Sequence, residues 1–207
     1  MTWSGGLAAA LVLAMLAAAT VGPVRIGLLE VARATLNALA VPAGFEGSGL
    51  RWVHPFAFDV ERSHQVIVGD LRLPRIALGA VVGFALATAG TVMQGFFRNP
   101  MADPSIIGVS TGAAVGAVAT IVFPLAVPFS LQWAAFAGAL LAGFGVYLIA
   151  SEGGRTPVAT LLLAGVAVQT FLGAVVSFLL LYAGDSLQRA VYWLMGHLHT
   201  SSWPKVW

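Results

Sequence analysis

Four groups of residues in this 207-residue chain have types and spacings suited to chemistry or to binding charge. Gly108-Val109-Ser110-Thr111-Gly112 has the G-x-S-x-G spacing of a serine nucleophile elbow, in which a strand-to-helix turn exposes the hydroxyl. A serine needs a neighbouring base, yet His54, His64, His197 and His199 all fall between or after the apolar runs, and no strand pattern precedes Gly108. Helix packing is therefore the better reading of these glycines, with an intramembrane hydrolase using Ser110, or a non-transporting helical scaffold fragment, as the alternatives. His197-x-His199 offers two imidazoles where a metal site takes three or four ligands. It reads as a solvated loop pair, with a single-histidine contact to a haem-like substrate as its alternative; no metal site and no cofactor are expected.

The third group is Leu71-Arg72-Leu73-Pro74-Arg75. Two guanidinium groups beside a proline near the first turn of a helix would present fixed positive charge. That suits carboxylates on a docking partner, or lipid headgroups. The fourth is Arg98-Asn99-Pro100-Met101-Ala102-Asp103-Pro104. Proline disfavours helix in the residue before it, so Asn-Pro and Asp-Pro predict a rigid turn between two helices. Among polar residues inside apolar runs, Gln94 and Gln132 suit interhelical hydrogen bonds, while Gln169 with Thr170 and Ser177 could line a watery pathway.

The elements that must position these groups follow from composition. Hydrophobic residues make up 59% of the chain and charged residues 9%, against roughly 25% charged in a soluble domain. Residues 104–151 hold no Asp, Glu, Lys, Arg or His. As one helix they would run about 72 Å, over twice the roughly 30 Å hydrocarbon core, so the chain must fold back near Pro124 and Pro128. Five membrane spans are expected, near residues 3–24, 75–97, 105–123, 129–150 and 157–183, with an external segment over 25–74. The first span could be read as a signal peptide, but residues 1–6 hold no Lys or Arg and the apolar run passes Ala19; a retained helix is expected. Leu28, Leu29, Ala32, Leu36 and Leu39 form one apolar face of a short interfacial helix, and Val41–His64 reads as a loop or cap. Gly79 with Gly83, and Gly108 with Gly112 and Gly116, have the small-xxx-small spacing that lets membrane helices approach closely.

Orientation comes from the short loops, where Lys/Arg bias is informative. The loops bearing Arg98 and Arg155 are placed in the cytoplasm, with the N-terminus; residues 25–74 and the tail from Asp185 lie outside. Net charge is +2 and no basic cluster with interleaved aromatics occurs, so no nucleic-acid partner is expected. The absence of cysteine removes thiolate metal sites and disulfides.

The ordered string Arg72-Leu73-Pro74-Arg75, Gln94-Gly95, Arg98 through Pro104 and Gly108 through Ala113, followed by Leu161 through Ala167 and Tyr192 through Gly196, resembles the FecCD/BtuC-type permeases. These are the membrane subunits of ABC importers for iron-siderophores, haem and cobalamin. The resemblance covers nearly the whole chain. It implies an all-α polytopic bundle, ten helices in two related halves, of which residues 1–207 form the N-terminal part of a single, apparently truncated permease domain. It also implies a second permease copy (a homodimer), a cytoplasmic ABC ATPase pair, an extracytoplasmic substrate-binding protein and the lipid of the cell membrane as partners. In that reading Arg72 and Arg75 meet carboxylates of the binding protein, Arg98, Asn99, Pro100, Asp103 and Pro104 shape a cytoplasmic turn, and Gln169, Thr170 and Ser177 line the pathway. The chain would carry no enzyme activity of its own, and the ATPase-coupling segment would lie outside it. Iron-siderophore is the first expected cargo, cobalamin or haem the next.

Overall fold

Where charge is absent for the width of a bilayer, the chain is helical. The computed structural model describes residues 2–46, 49–124, 126–198 and 201–203, so His199 lies outside the described residues. In chain order come α1 (Thr2–Thr20), α2 (Leu28–Ala38), strands β1 (Val41–Glu46) and β2 (Gly49–Val53), α3 (Arg62–Val66), a π-helical segment (Ile67–Arg72), α4 (Leu73–Phe97), a 3-10 turn (Pro104–Ile107), α5 (Val109–Val122), α6 (Ser130–Ala150), α7 (Val158–Leu181), a second 3-10 turn (Gly184–Ser186) and α8 (Leu187–Met195). Among the described residues four helical stretches are long and apolar enough to cross a membrane: Trp3–Thr20, the continuous run Arg62–Phe97, Ser130–Ala150 and Val158–Leu181. The first, third and fourth of these helices, and the second from Ile76 onward, carry no charged residue, and Phe84, Leu141 and Leu163 are largely exposed, as suits helices solvated by lipid or by other helices.

Several boundaries differ from expectation. The first helix stops at Thr20 rather than Val24, four residues short, because Gly22-Pro23 ends it. The second starts at Arg62 rather than Arg75, since the polar residues 62–72 continue the helix instead of preceding it. The third is a helix of 14 residues, because Gly108 takes a left-handed φ of 77° and separates a 3-10 turn from α5. Part of the stretch read as a loop is an antiparallel hairpin pairing Val41 with Val53 and Glu46 with Gly49, bulged between Pro42 and Phe45.

The described residues fall into two compact units, one reaching Gly83 and including those from Leu198 onward, the other from Phe84 to His197. The core of the first joins Ala19 at the end of α1, Ile26, Val31 and Ala34 of α2, and Val68 of the π segment. The buried face of α2 is therefore Val31 and Ala34, while Leu28 and Leu29 are exposed; the expected apolar face is corrected, because small side chains let α2 lie close against the π segment. Asn37 ties α2 to the following chain, accepting from the Phe58 N–H at 2.8 Å and donating to the Phe58 carbonyl at 3.0 Å.

The second unit is built around α5, packed on α6 and α7. Val146 and Ala150 of α6 meet Leu161 and Ala164 of α7 in one cluster. Val118 and Ile121 of α5 bury Ala190 of α8 in another. The link from α6 to α7 is a two-residue reversal, Gly153 (φ 56°) and Gly154 (φ 78°), closed by reciprocal backbone bonds between Glu152 and Arg155 at 2.8 and 3.1 Å. Two consecutive positive φ angles are the requirement of a type I′ turn, which glycine meets without strain.

Candidate functional site

Pro74 lies inside a long helical run, where its ring crowds the carbonyl four residues back and its nitrogen has no proton to donate. The π segment relieves both problems. Its wider turn lets the Leu73 N–H reach the Val68 carbonyl, five residues back. The Gly69 carbonyl lies five residues before Pro74, whose nitrogen has no proton to give it, and the indole N–H of Trp203 donates to it at 3.0 Å. Pro74 itself is fully buried. The two arginines therefore do not stand at a helix mouth with proline in the first turn; they sit where a continuous helix changes pitch.

Arg72, half-buried, donates through Nη1 to the Ala19 carbonyl at 2.6 Å and through Nη2 to the Val24 carbonyl. The Ala19 carbonyl is among the last four of α1, which have no partner within the helix. A cation there satisfies an orphan acceptor and complements the negative end of the helix dipole. A methyl on Gly22 would stand 2.6 Å from Arg72 Nη2 and 3.0 Å from its Cζ, so the guanidinium occupies space that only glycine leaves open. Arg75 is exposed and donates through Nε to the Leu198 carbonyl at 3.2 Å. Both arginines line an open crevice of about 420 Å³ with Gly22, Val24, Ile67 and Leu71.

The turn after α4 is built from caps. Arg98 takes a left-handed φ of 50°, and the Asn99 N–H reaches back to the Gln94 carbonyl at 3.2 Å, the six-to-one bond that closes a helix end. Asn99 Oδ1 accepts from the Met101 N–H at 2.9 Å, and Asp103 Oδ1 accepts from the Ser105 N–H at 2.7 Å. Hydrogen bonds from the side chain and backbone of Ser105 hold the Asp103 carboxyl below its usual range. Pro104 begins the 3-10 turn that follows, and Pro100 lies within the reversal between the caps.

Beyond that turn the helices touch backbone to backbone. A methyl on Gly112 would overlap the Gly138 carbonyl, one on Gly138 the Gly112 carbonyl, and one on Gly116 the Ala134 carbonyl. A methyl on Gly108 would stand 3.8 Å from Gly165 O and Gln169 N of α7, and one on Gly165 would overlap the Ile106 carbonyl. Sequence reasoning missed Gly138 and Gly165, although Ala134, Gly138 and Ala142 repeat the small-xxx-small spacing that would have found the first. Among the described residues nothing lies within 4 Å of where a methyl on Gly83 would sit, and one on Gly79 would meet only the Leu198 side chain. Gln169, Thr170 and Ser177 lie on an exposed face of α7. The two hydroxyls donate to the Val166 and Gly173 carbonyls, at 2.8 and 3.1 Å, leaving oxygen lone pairs outward.

Ser110 is the second residue of α5 rather than the tip of a strand-to-helix elbow. His64 Nδ1 lies 3.0 Å from Glu30, and His197 Nδ1 2.9 Å from the Tyr192 carbonyl. No group of three or more metal-ligating side chains occurs among the described residues.

Residues 9–207 match the FecCD transport family. The chain belongs to that family. It is 54% identical to the cobalamin import system permease protein BtuC of Halobacterium salinarum, over 99% of this chain and 60% of that protein. It is 44% identical to the Fe(3+)-citrate import system permease protein YfmD of Bacillus subtilis, over 69% of this chain and 42% of that one. Against the hemin transport system permease protein HmuU of Yersinia pestis the identity is 41%, over 65% of this chain and 42% of that one. A solved metal-chelate type ABC transporter in an inward-facing conformation superposes with a TM-score of 0.60 and 29% identity, covering 86% of this chain and 54% of that one. This FecCD chain thus spans 60% or less of the length of these relatives. It is a multi-pass membrane protein with the helical architecture of such a permease.

Proposed function

We propose that this FecCD chain forms part of the translocation pathway of an ATP-driven, binding-protein-dependent importer for a bulky metal chelate, with cobalamin as first candidate. The observation that carries the reading is the 54% identity to a cobalamin permease along 99% of the chain. That identity moves cobalamin ahead of iron-siderophore, the cargo expected first; iron chelates and haem follow. The chain acts without chemistry of its own, ATP being hydrolysed on a separate ATPase pair, and a second permease copy completes the pathway. Ser110, on a helix of a transport-family chain, has no nucleophile role in this reading.

The N-terminus and the Arg98 and Arg155 loops face the cytoplasm, as the basic residues of short loops favour. The arginine crevice then opens outward, where the pair Arg72 and Arg75 serves docking of the binding protein. Residues Arg98 to Pro104 hold the cytoplasmic turn, and the Gln169, Thr170 and Ser177 face of α7 lines the pathway. A face with no charge, whose hydroxyls already donate inward, holds cargo weakly, which favours release over retention.

Radiolabelled uptake in a strain lacking this gene and any other importer of the tested cargo decides the matter. Cobalamin, ferric siderophore and haem are offered separately with the intact gene on a plasmid. Rescue of cobalamin uptake, lost in the Arg72→Glu plus Arg75→Glu variant, is expected. Rescue of an iron chelate alone reassigns the cargo, and rescue of none overturns the importer reading.

A further inference from the structure

The paired arginines have unequal surroundings. Arg72 directs both terminal nitrogens at backbone carbonyls on either side of the Gly22-Pro23 turn, Ala19 O and Val24 O. Gly22 lacks the methyl that would displace it. The first of these carbonyls belongs to the end of α1 and the second to the chain beyond the turn, where Ala19 and Ile26 are buried in one cluster with Val68 of the segment that carries Arg72. Arg75, one turn on, is exposed at the rim of the same crevice. An arginine fork matched to two carbonyls fixes geometry in a way that a point charge does not.

We propose that Arg72 is a positioning residue, a clamp that fixes the end of α1 and so shapes one wall of the crevice, while Arg75 supplies the charge that a partner's carboxylate meets. The proposal rests on the docking reading for its second half only. The clamp acts whether or not a partner docks. Its two parts therefore predict different outcomes for the two arginines, and for a glycine that carries no charge.

These 207 residues contain no cysteine, and any cysteine elsewhere in the assembly is first replaced by serine. Ala19, 2% exposed, is replaced by cysteine in the whole permease assembled in lipid nanodiscs, and maleimide labelling is timed without binding protein. Arg72→Gln and Gly22→Ala each speed labelling by about tenfold, the shift in local opening expected from losing a charge-assisted hydrogen bond; Arg75→Gln leaves the rate as it was. Affinity of the folded assembly for its binding protein is then measured against salt. Arg72→Gln and Gly22→Ala lower affinity with the wild-type salt slope, whereas Arg75→Gln flattens the slope. Unchanged labelling in both Arg72→Gln and Gly22→Ala overturns the clamp. A flattened salt slope in Arg72→Gln with unchanged slope in Gly22→Ala returns Arg72 to the role of a docking charge. If Arg75→Gln alters neither affinity nor slope, the docking reading fails, and the labelling rates still decide the clamp.

Discussion

Replacing Gly116 by alanine places a methyl on the backbone of α6. The added carbon would overlap the Ala134 carbonyl and stand 3.1 Å from the Ala135 nitrogen. Every neighbour in its way is main chain, so no rotamer change makes room, and α5 and α6 must part by roughly an ångström at this point. A gap of about 0.5–1 Å forfeits a quarter to a half of the dispersion well for the atoms facing it, and overpacking of this kind costs roughly 1–3 kcal/mol. With main chain as the obstacle the cost falls in the upper part of that range, about 2–3 kcal/mol, and alanine returns about 1 kcal/mol of helix propensity, leaving a net loss of about 1–2 kcal/mol. At roughly 2–4 °C per kcal/mol for a chain of this size, the thermal midpoint of the purified protein in detergent falls by about 2–8 °C. Gly145, on α6 with nothing within 4 Å of where its methyl would go, is the control, and Gly145→Ala holds or slightly raises the midpoint. If Gly116→Ala unfolds no earlier than Gly145→Ala, the close seam between α5 and α6 is refuted.

Trp203→Phe removes the indole donor to the Gly69 carbonyl opposite Pro74 and destabilises the first unit by about 1–3 kcal/mol, read as faster hydrogen exchange across residues 67–73. Gly153→Val forces a β-branched residue into a left-handed φ of 56° and costs about 1–2 kcal/mol, measured as a lowered thermal midpoint. Asp103 has a folded pKa below its unfolded value, so its contribution is present above about pH 4, the unfolded range, and is lost as pH falls through the folded value. Exchange at the Ser105 amide therefore gains protection with rising pH in the wild type across that acid range, after correction for intrinsic exchange, while Asp103→Asn shows a flat profile.

What was legible in the sequence was what the bilayer dictates. Helices α6 (Ser130–Ala150) and α7 (Val158–Leu181) lie within the charge-free runs that follow Pro128 and Arg155. The start of the second long helix was missed because charge density marks the membrane boundary and not the helix boundary. Residues 62–72 are polar enough to leave the hydrocarbon yet remain helical. Pro74 suggested a first turn because proline is tolerated there without adjustment. Its actual tolerance depends on a pitch change and on Trp203, far along the chain, which local pattern cannot reveal. The same limit applies at Arg72: residue type announces a cation, while the carbonyls of Ala19 and Val24 that surround it are known only once α1 is placed. Gly112 and Gly116 could be read as packing residues, but their partners Ala134 and Gly138 were not paired with them.

Fourteen residues of α5 rise about 21 Å, some 9 Å less than a typical hydrocarbon core. Irregular backbone at membrane depth survives only where protein or water covers it, and the 3-10 turn ahead of α5 has that cover from Gly165 on α7. A thicker bilayer can be met by α6 and α7, of 21 and 24 residues, through a change of tilt. It cannot be met by α5, which is too short and is seated on glycine contacts. A thicker bilayer would therefore load the α5–α6 seam in shear, and lipid chain length would act on this bundle as a mechanical input.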